Sequence, residues 1–304
     1  MSYKDVVRIA CANVRQLPAD RPDDLSLYLD FIAAAGAQAA DLIVFPETTF
    51  SAAGQPLGDA AAALRTHAEL AEPIPGPTTA VLGKAAREQG IHVVAGMLER
   101  DTQRPEGVYN AAAVIGPSGD VIGVHRKVHL FKTEKAFTTP GDAFTVVETD
   151  FGPVGVLICS DFYCYPEAAR VCALKGARLI LLVTAVMVTL IDLQGQEAIY
   201  EGAIELVPDI IRVRAYENHI YIAAANAVGT SLSGYRAFGK SMIVGPHPPG
   251  SFAVKYFAGP ASQVDNELIV ATLDLKAMDA MRRRLWENRV PPLYGAIGRH
   301  AADA

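Results

Sequence analysis

Runs of aliphatic and β-branched residues alternate with stretches of helical spacing along this chain, and no polar linker interrupts them. That alternation confines the chain to sheets covered by helices, because near-continuous apolar strands must be buried on both faces. The first run, Val6 to Val14, precedes a helix predicted from Pro22 to Ala39 and a buried strand, Asp41-Leu42-Ile43-Val44-Phe45. A second helix, from about Thr78 to Gln89, stops at Gly90, the residue type that favours a helix end, and Ile91-His92-Val93-Val94-Ala95 follows as strand. The opening order is therefore β-α-β-α-β.

Residues 111–127 read as a hairpin, with Gly116-Pro117-Ser118-Gly119-Asp120 turning between two apolar runs, and a second hairpin centres on Asp150-Phe151-Gly152-Pro153. Strand Val154 to Ile158, helix Pro166 to Lys175, strand Leu179 to Val183, a long helix ending near Glu217 and strand His219 to Ala225 follow. Further strands are predicted near Ser241 to Val244 and Glu267 to Leu275. No repeat of solenoid or propeller period is present. One α/β domain is expected over residues 1–280, with residues 281–304 as a C-terminal extension that packs on it or on a partner subunit. Pro291-Pro292 prevents the tail from Trp286 onward from continuing a regular helix, so an extended arm is expected there.

At 304 residues the chain can bury a large core. Its net charge of -6 gives no electrostatic reason to expect nucleic acid, and a small-molecule substrate fits better. The longest apolar run, Leu179 to Ile191, falls short of the ~20 residues that span a bilayer, so no membrane partner is expected. The first residues lack the pattern of a signal peptide, and the four cysteines form no CxxC pair. A cytoplasmic setting with reduced thiols is the expectation.

Three strand ends carry reactive side chains. Phe45-Pro46-Glu47 places a carboxylate directly after a buried strand, where open α/β sheets hold their ligands. Val124-His125-Arg126-Lys127 ends a hairpin strand in cations that could neutralise an oxyanion. Val156-Leu157-Ile158-Cys159-Ser160-Asp161 puts a cysteine on the turn after a strand, where its sulfur can be exposed beside backbone N–H groups. Taken singly, each has a plainer reading: a solvated loop carboxylate, a solvated basic strand end, a small buried hydrophobe. His125 and His129 lack a nearby acidic or Cys ligand pattern, so no metal is expected.

Together, in the order Glu, Lys, Cys, the three segments resemble the nitrilase superfamily of carbon–nitrogen hydrolases. Further matching stretches are Glu134-Lys135-Ala136-Phe137-Thr138-Thr139-Pro140-Gly141-Asp142, Ala173-Leu174-Lys175-Gly176-Ala177, Arg214-Ala215-Tyr216-Glu217-Asn218, Phe238-Gly239-Lys240-Ser241-Met242-Ile243-Val244 and Val290-Pro291-Pro292-Leu293-Tyr294. The resemblance implies a four-layer α-β-β-α sandwich, a homodimer or higher homo-oligomer, and no cofactor. By motif it implies Cys159 as nucleophile, Glu47 as general base, Lys127 as the oxyanion-stabilising cation and Glu134 as a second acidic residue. Ser160, Phe131, Tyr163 and Thr184 are the candidate substrate-binding positions. Two departures stand out. Pro166-Glu167 lies one position further from Cys159 than in many members, and the stretch from Lys127 to Glu134 is shorter than in many relatives.

Ser160-Asp161 after the nucleophile is closer to the amidase and carbamoylase branches than to true nitrilases, so a small amide is the expected substrate. A nitrile or an N-carbamoyl amide is the alternative. An N-carbamoyl amino acid would want a cation, yet Phe162, Tyr163 and Tyr165 follow the cysteine, leaving Arg170 or Arg236 to supply one from elsewhere. A catalytically idle oligomeric scaffold is the alternative from outside enzymology, and the intact Glu-Lys-Glu-Cys set argues against it.

Overall fold

A computed structural model describes residues 3–17, 24–51, 67–104, 107–191, 197–199, 202–229, 236–247 and 252–298. Two six-stranded mixed sheets dominate it. The first contains β1 (Val6–Asn13), β2 (Leu42–Val44), β3 (His92–Arg100), β4 (Val108–Ile115), β5 (Val121–Arg126) and β14 (Glu267–Asp274), in the order β14-β1-β2-β3-β4-β5. The second contains β6 (Thr145–Thr149), β7 (Gly152–Ile158), β8 (Leu179–Thr184), β11 (Tyr221–Asn226), β12 (Met242–Pro246) and β13 (Val254–Ala258), in the order β13-β12-β11-β8-β7-β6. A small antiparallel pair, β9 (Thr189–Ile191) and β10 (Glu197–Ile199), stands apart. In each large sheet three central strands run parallel, β1-β2-β3 and β7-β8-β11, and the flanking strands pair antiparallel.

Alternation along the strands sorts side chains between two cores. Leu42 and Val44 face inward with Ile9, Val94 and Val114, against Val156, Ile158, Leu181, Val183 and Ile243 of the other sheet. The intervening Ile43 and Phe45 face outward, where α1 (Ser26–Ala37) and α2 (Pro77–Gln89) cover them with Tyr28, Ile32, Leu82 and Ala86. On the far side Leu157, Ile180, Leu182 and Ile222 are covered by α4 (Pro166–Leu174) and α5 (Ala203–Asn218) through Ala169, Cys172, Ile211 and Ala215. Each fully buried aliphatic side chain contributes about 1.5–3 kcal/mol, so three stacked apolar layers make this a large core. The expected α-β-β-α sandwich is the observed one.

Differences lie at the ends. The expected helix from Pro22 begins at Ser26, and Pro22 itself lies outside the described residues. Asp274 ends β14 and caps α6 (Leu275–Glu287), its carboxylate accepting the Ala277 N–H at 3.1 Å, so Leu275 opens a helix instead of ending a strand. This helix runs across position 280. The tail is not an extended arm: residues Pro291–Gly298 form a 3-10 helix. Proline is tolerated in a first helical turn, where its fixed φ fits and its missing N–H has no partner to lose. Edge strand β13 was also not anticipated.

Candidate active site

The parallel strands β2, β7 and β8 deliver the segments after their C-terminal ends to one place between the sheets. Glu47 N–H donates to the Thr184 carbonyl at 3.3 Å, and Cys159 N–H to the Val183 carbonyl at 3.1 Å. These bonds hold the segments after β2 and β7 against the end of β8. Gly96 on β3 allows the approach from the other side, since a Cβ there would run into the Pro46 carbonyl and lie 2.8 Å from Glu47 Cα. At the end of β5, Arg126 forms a two-pronged pair with Glu99, both bonds 2.7 Å, while Lys127 turns inward with its N–H donating to Asn110 O at 2.8 Å.

Lys127 Nζ lies 2.7 Å from Glu47 Oε1 and 2.7 Å from Glu134 Oε2. Asn110 Nδ2 spans the same two carboxylates, donating to Glu47 Oε1 at 2.7 Å and Glu134 Oε1 at 2.8 Å. Backbone groups complete the frame: Ala185 N–H donates to Glu47 Oε2 at 3.0 Å, and Phe131 N–H to Glu134 Oε2 at 2.7 Å. Glu134 sits in a 3-10 helix, Lys132–Ala136, which fills the stretch after Lys127. All four side chains are buried. Burial works against the charge on Lys127, but Glu134 and Glu47 outweigh it and hold the ammonium well above its ordinary pKa.

Cys159 has φ 43° and ψ −105°, a backbone conformation that a non-glycine residue adopts only when its surroundings impose it. The side chain is half-buried on the cavity wall. Burial pushes the thiol up, Glu47 and Glu134 add to the rise, and Lys127 and the Thr184 hydroxyl pull the other way. A thiol pushed up in this way needs a base to take its proton at the moment of attack. Ser160 and Asp161 open the short helix α3 (Ser160–Tyr163), so their N–H groups have no intrahelical acceptor.

These residues border a cavity of about 390 Å3. Glu47, Lys127, Glu134, Cys159, Ser160, Phe131 and Tyr163 line it, whereas Thr184 stands behind the wall. The Thr184 hydroxyl is buried without a hydrogen bond of regular geometry among the described residues and faces Cys159 and Tyr163. Ser160 directs its hydroxyl away, donating to His129 O. Within the segment carrying the extra residue, Tyr163 and Cys164 reach the cavity, Phe162 is buried in the outer core, and Tyr165 stacks on the His129 ring at 3.6 Å. Arg170 and Arg236 are not on the wall: Arg170 lies over Trp286 and Arg236 is exposed.

Asn110 was missed by sequence reasoning, although a lone asparagine in the apolar run Val108–Ile115 was a signal. Asp161 was read only as part of a motif. Fully buried, it accepts from His129 N–H at 2.8 Å and Val128 N–H at 3.2 Å, and bonds the rings of His125 at 3.1 Å and His129 at 2.9 Å. Burial would raise its pKa, but His125, the His129 N–H and Lys127 prevail and hold the carboxyl below its usual range. Among the described residues no group of three or more His, Cys, Asp or Glu could hold a metal, and no helix is long and apolar enough to cross a membrane.

Comparison with known proteins identifies the family. The carbon-nitrogen hydrolase family model matches residues 8–283. A nitrilase of Pyrococcus abyssi is 36% identical over 249 residues, 80% of each chain. Human omega-amidase NIT2 is 27% identical over 286 residues, covering 89% of this chain and 90% of that one. Among solved structures, a glutamate-to-glutamine mutant of an amidase from Nesterenkonia sp. AN1, with the acetamide moiety of fluoroacetamide covalently added at its active-site cysteine, superimposes with a TM-score of 0.68. It is 25% identical and covers 95% of each chain. A carbon-nitrogen hydrolase of Helicobacter pylori G27, 23% identical, shares the fold with a TM-score of 0.79 over 97% of this chain and 99% of that one. The chain belongs to the carbon-nitrogen hydrolase family of the nitrilase superfamily and is a carbon–nitrogen hydrolase.

Proposed function

We propose that the protein hydrolyses a small linear amide to a carboxylic acid and ammonia through a thioester on Cys159. The observation that carries this reading is the Lys127 ammonium held between Glu47 and Glu134 beside a strained cysteine turn, all on one cavity. In the first half-reaction Glu47 takes the thiol proton as Sγ bonds to the amide carbon. The oxygen of the tetrahedral intermediate is met by Lys127 and the Ser160 N–H. Collapse breaks the C–N bond, and Glu47 returns the proton to the departing ammonia. In the second, water attacks the thioester, Glu47 accepts its proton, and the C–S bond breaks to free the acid and restore the thiol. Glu134, fixed by Asn110 and the Phe131 N–H, orients substrate and water.

Similarity to the Pyrococcus abyssi nitrilase favours a second reading, in which Sγ adds to a nitrile carbon and two waters are consumed. Ammonia release from matched amides, nitriles and N-carbamoyl amino acids separates the readings. Amide turnover that vanishes in Cys159→Ala, with the far-ultraviolet circular dichroism unchanged, is expected. Turnover retained by that variant would remove Cys159 from the mechanism, and release from nitriles alone would favour the second reading.

A further inference from the structure

The apolar part of the cavity bears on the acyl group. Among the described lining residues Lys127 is the one lysine or arginine, and its ammonium is already shared by Glu47 and Glu134. With two carboxylates against one cation, the polar end carries a formal charge of −1. Several other donors on the wall are committed. Gln16 Nε2 donates to Glu47 O at 3.0 Å and Thr48 Oγ1 at 2.7 Å, and the Thr138 hydroxyl donates to Glu134 O at 2.9 Å. The Ser160 hydroxyl goes to His129 O and the Asn110 amide N–H groups to the two carboxylates. Among these lining residues, the buried side-chain atom left without a partner is Asn110 Oδ1, an acceptor that suits an amide N–H and repels a carboxylate.

Much of the remaining lining is apolar, with Phe137, Met187, Val207 and Ile210 among it, while Tyr163 brings a ring whose hydroxyl lies near Thr184 and Cys159. His67 also borders the cavity, stacked on Phe137 at 4.0 Å. The volume lies at the low end of the range for small-molecule sites, with room for an acyl chain of several carbons or a single ring.

Building on the amidase reading above, we propose that the substrate is the monoamide of a neutral, apolar carboxylic acid, and that amides bearing a second carboxylate are turned away. An omega-monoamide of a dicarboxylic acid or an N-carbamoyl amino acid would bring an anion to a wall whose described residues offer two carboxylates and no lysine or arginine besides Lys127. Leaving such a charge buried and unpaired is far costlier than any contact its methylenes gain.

Valeramide and glutarate monoamide have the same chain length and differ at the far end in a methyl group against a carboxylate, so their kcat/KM values test this directly. Valeramide is expected to be favoured by about a hundredfold or more. Along acetamide, propionamide, butyramide and valeramide, kcat/KM should rise about fourfold per buried methylene. Glutarate monoamide equal to or better than valeramide would overturn the proposal, as would a flat series.

A second arm needs no turnover. Alkylation of Cys159 by neutral iodoacetamide and by anionic iodoacetate is followed by tandem mass spectrometry that separates it from Cys164. The preference for iodoacetamide at Cys159 should exceed that of 2-mercaptoethanol by about tenfold. An equal preference overturns the proposal. If no amide is hydrolysed but the alkylation preference holds, the amidase reading falls while exclusion of anions stands.

Discussion

Asp161 Oδ1 accepts the backbone N–H of His129 at 2.8 Å, which ties the turn behind Cys159 to the strand end that carries Lys127. Nucleophile and cation come from different sheets, so their relative position depends on bonds of this kind. In Asp161→Ala the half-buried N–H groups of Val128 and His129 and the buried His125 ring lose their acceptor, at about 1–3 kcal/mol per unsatisfied group. Urea unfolding should show a loss of at least about 3 kcal/mol. Steady-state kinetics should show kcat falling while KM changes little. A KM effect alone would contradict a positioning role.

The same carboxyl has a pH signature. Its folded pKa lies below the unfolded value, so its stabilisation is present above the ordinary carboxylate range and is lost as pH falls through the folded value. Asp161→Asn, which keeps the shape, should lower the urea midpoint at neutral pH and flatten its acid limb, so that the two proteins converge as pH falls.

Lys127→Met leaves Glu47 and Glu134 without the cation between them. Breaking a buried pair in this way costs about 3–5 kcal/mol. Because the folded lysine titrates above its unfolded value, its stabilisation is complete below the ordinary lysine range and disappears as pH rises through the folded value. Calorimetric Tm against pH should therefore fall on the alkaline side in the wild type, and this component should be missing from Lys127→Met.

Gly96→Ala tests the backbone approach beside Glu47. The added methyl meets Pro46 O and Glu47 Cα, neither of which is a flexible side-chain end. Overpacking of this kind costs about 1–3 kcal/mol, and a displaced Glu47 should lower kcat about tenfold to a hundredfold. Wild-type kcat with a lowered Tm would show that the strand absorbs the strain without moving Glu47.

Asn110→Leu is close in size but removes the amide shared by the two carboxylates. Glu134 Oε1 then loses the donor 2.8 Å away, and kcat should fall about tenfold to a hundredfold with the fold intact. Unchanged kcat would mean that Lys127 alone orients both carboxylates.

Much of this molecule is legible in consecutive residues. Runs such as Leu42-Ile43-Val44-Phe45 and Leu179-Ile180-Leu181-Leu182-Val183 announce strands buried on both faces, and these strands form the two sheets. The motif at each strand end places Glu47, Lys127 and Cys159 in order along the chain, and the structure gathers them round one cavity. Chain ends were less legible: Asp274 caps a helix where a strand was expected to finish, and two prolines enter a 3-10 helix instead of an extended arm.

Residue type and periodicity are local properties, so the sequence by itself determined sheets covered by helices and the reactive groups at their strand ends, and the family resemblance implied the four layers. Bonds between distant positions are not local. Asn110 contacts carboxylates 63 and 24 positions away, and Asp161 reaches back 32 positions to His129. Only the tertiary structure decided that Lys127 is shared by two carboxylates, that Thr184 stands behind the cavity wall, and that much of the remaining cavity lining is apolar. The reason is physical: a buried charge or hydroxyl takes its meaning from the partners that folding brings within bonding distance.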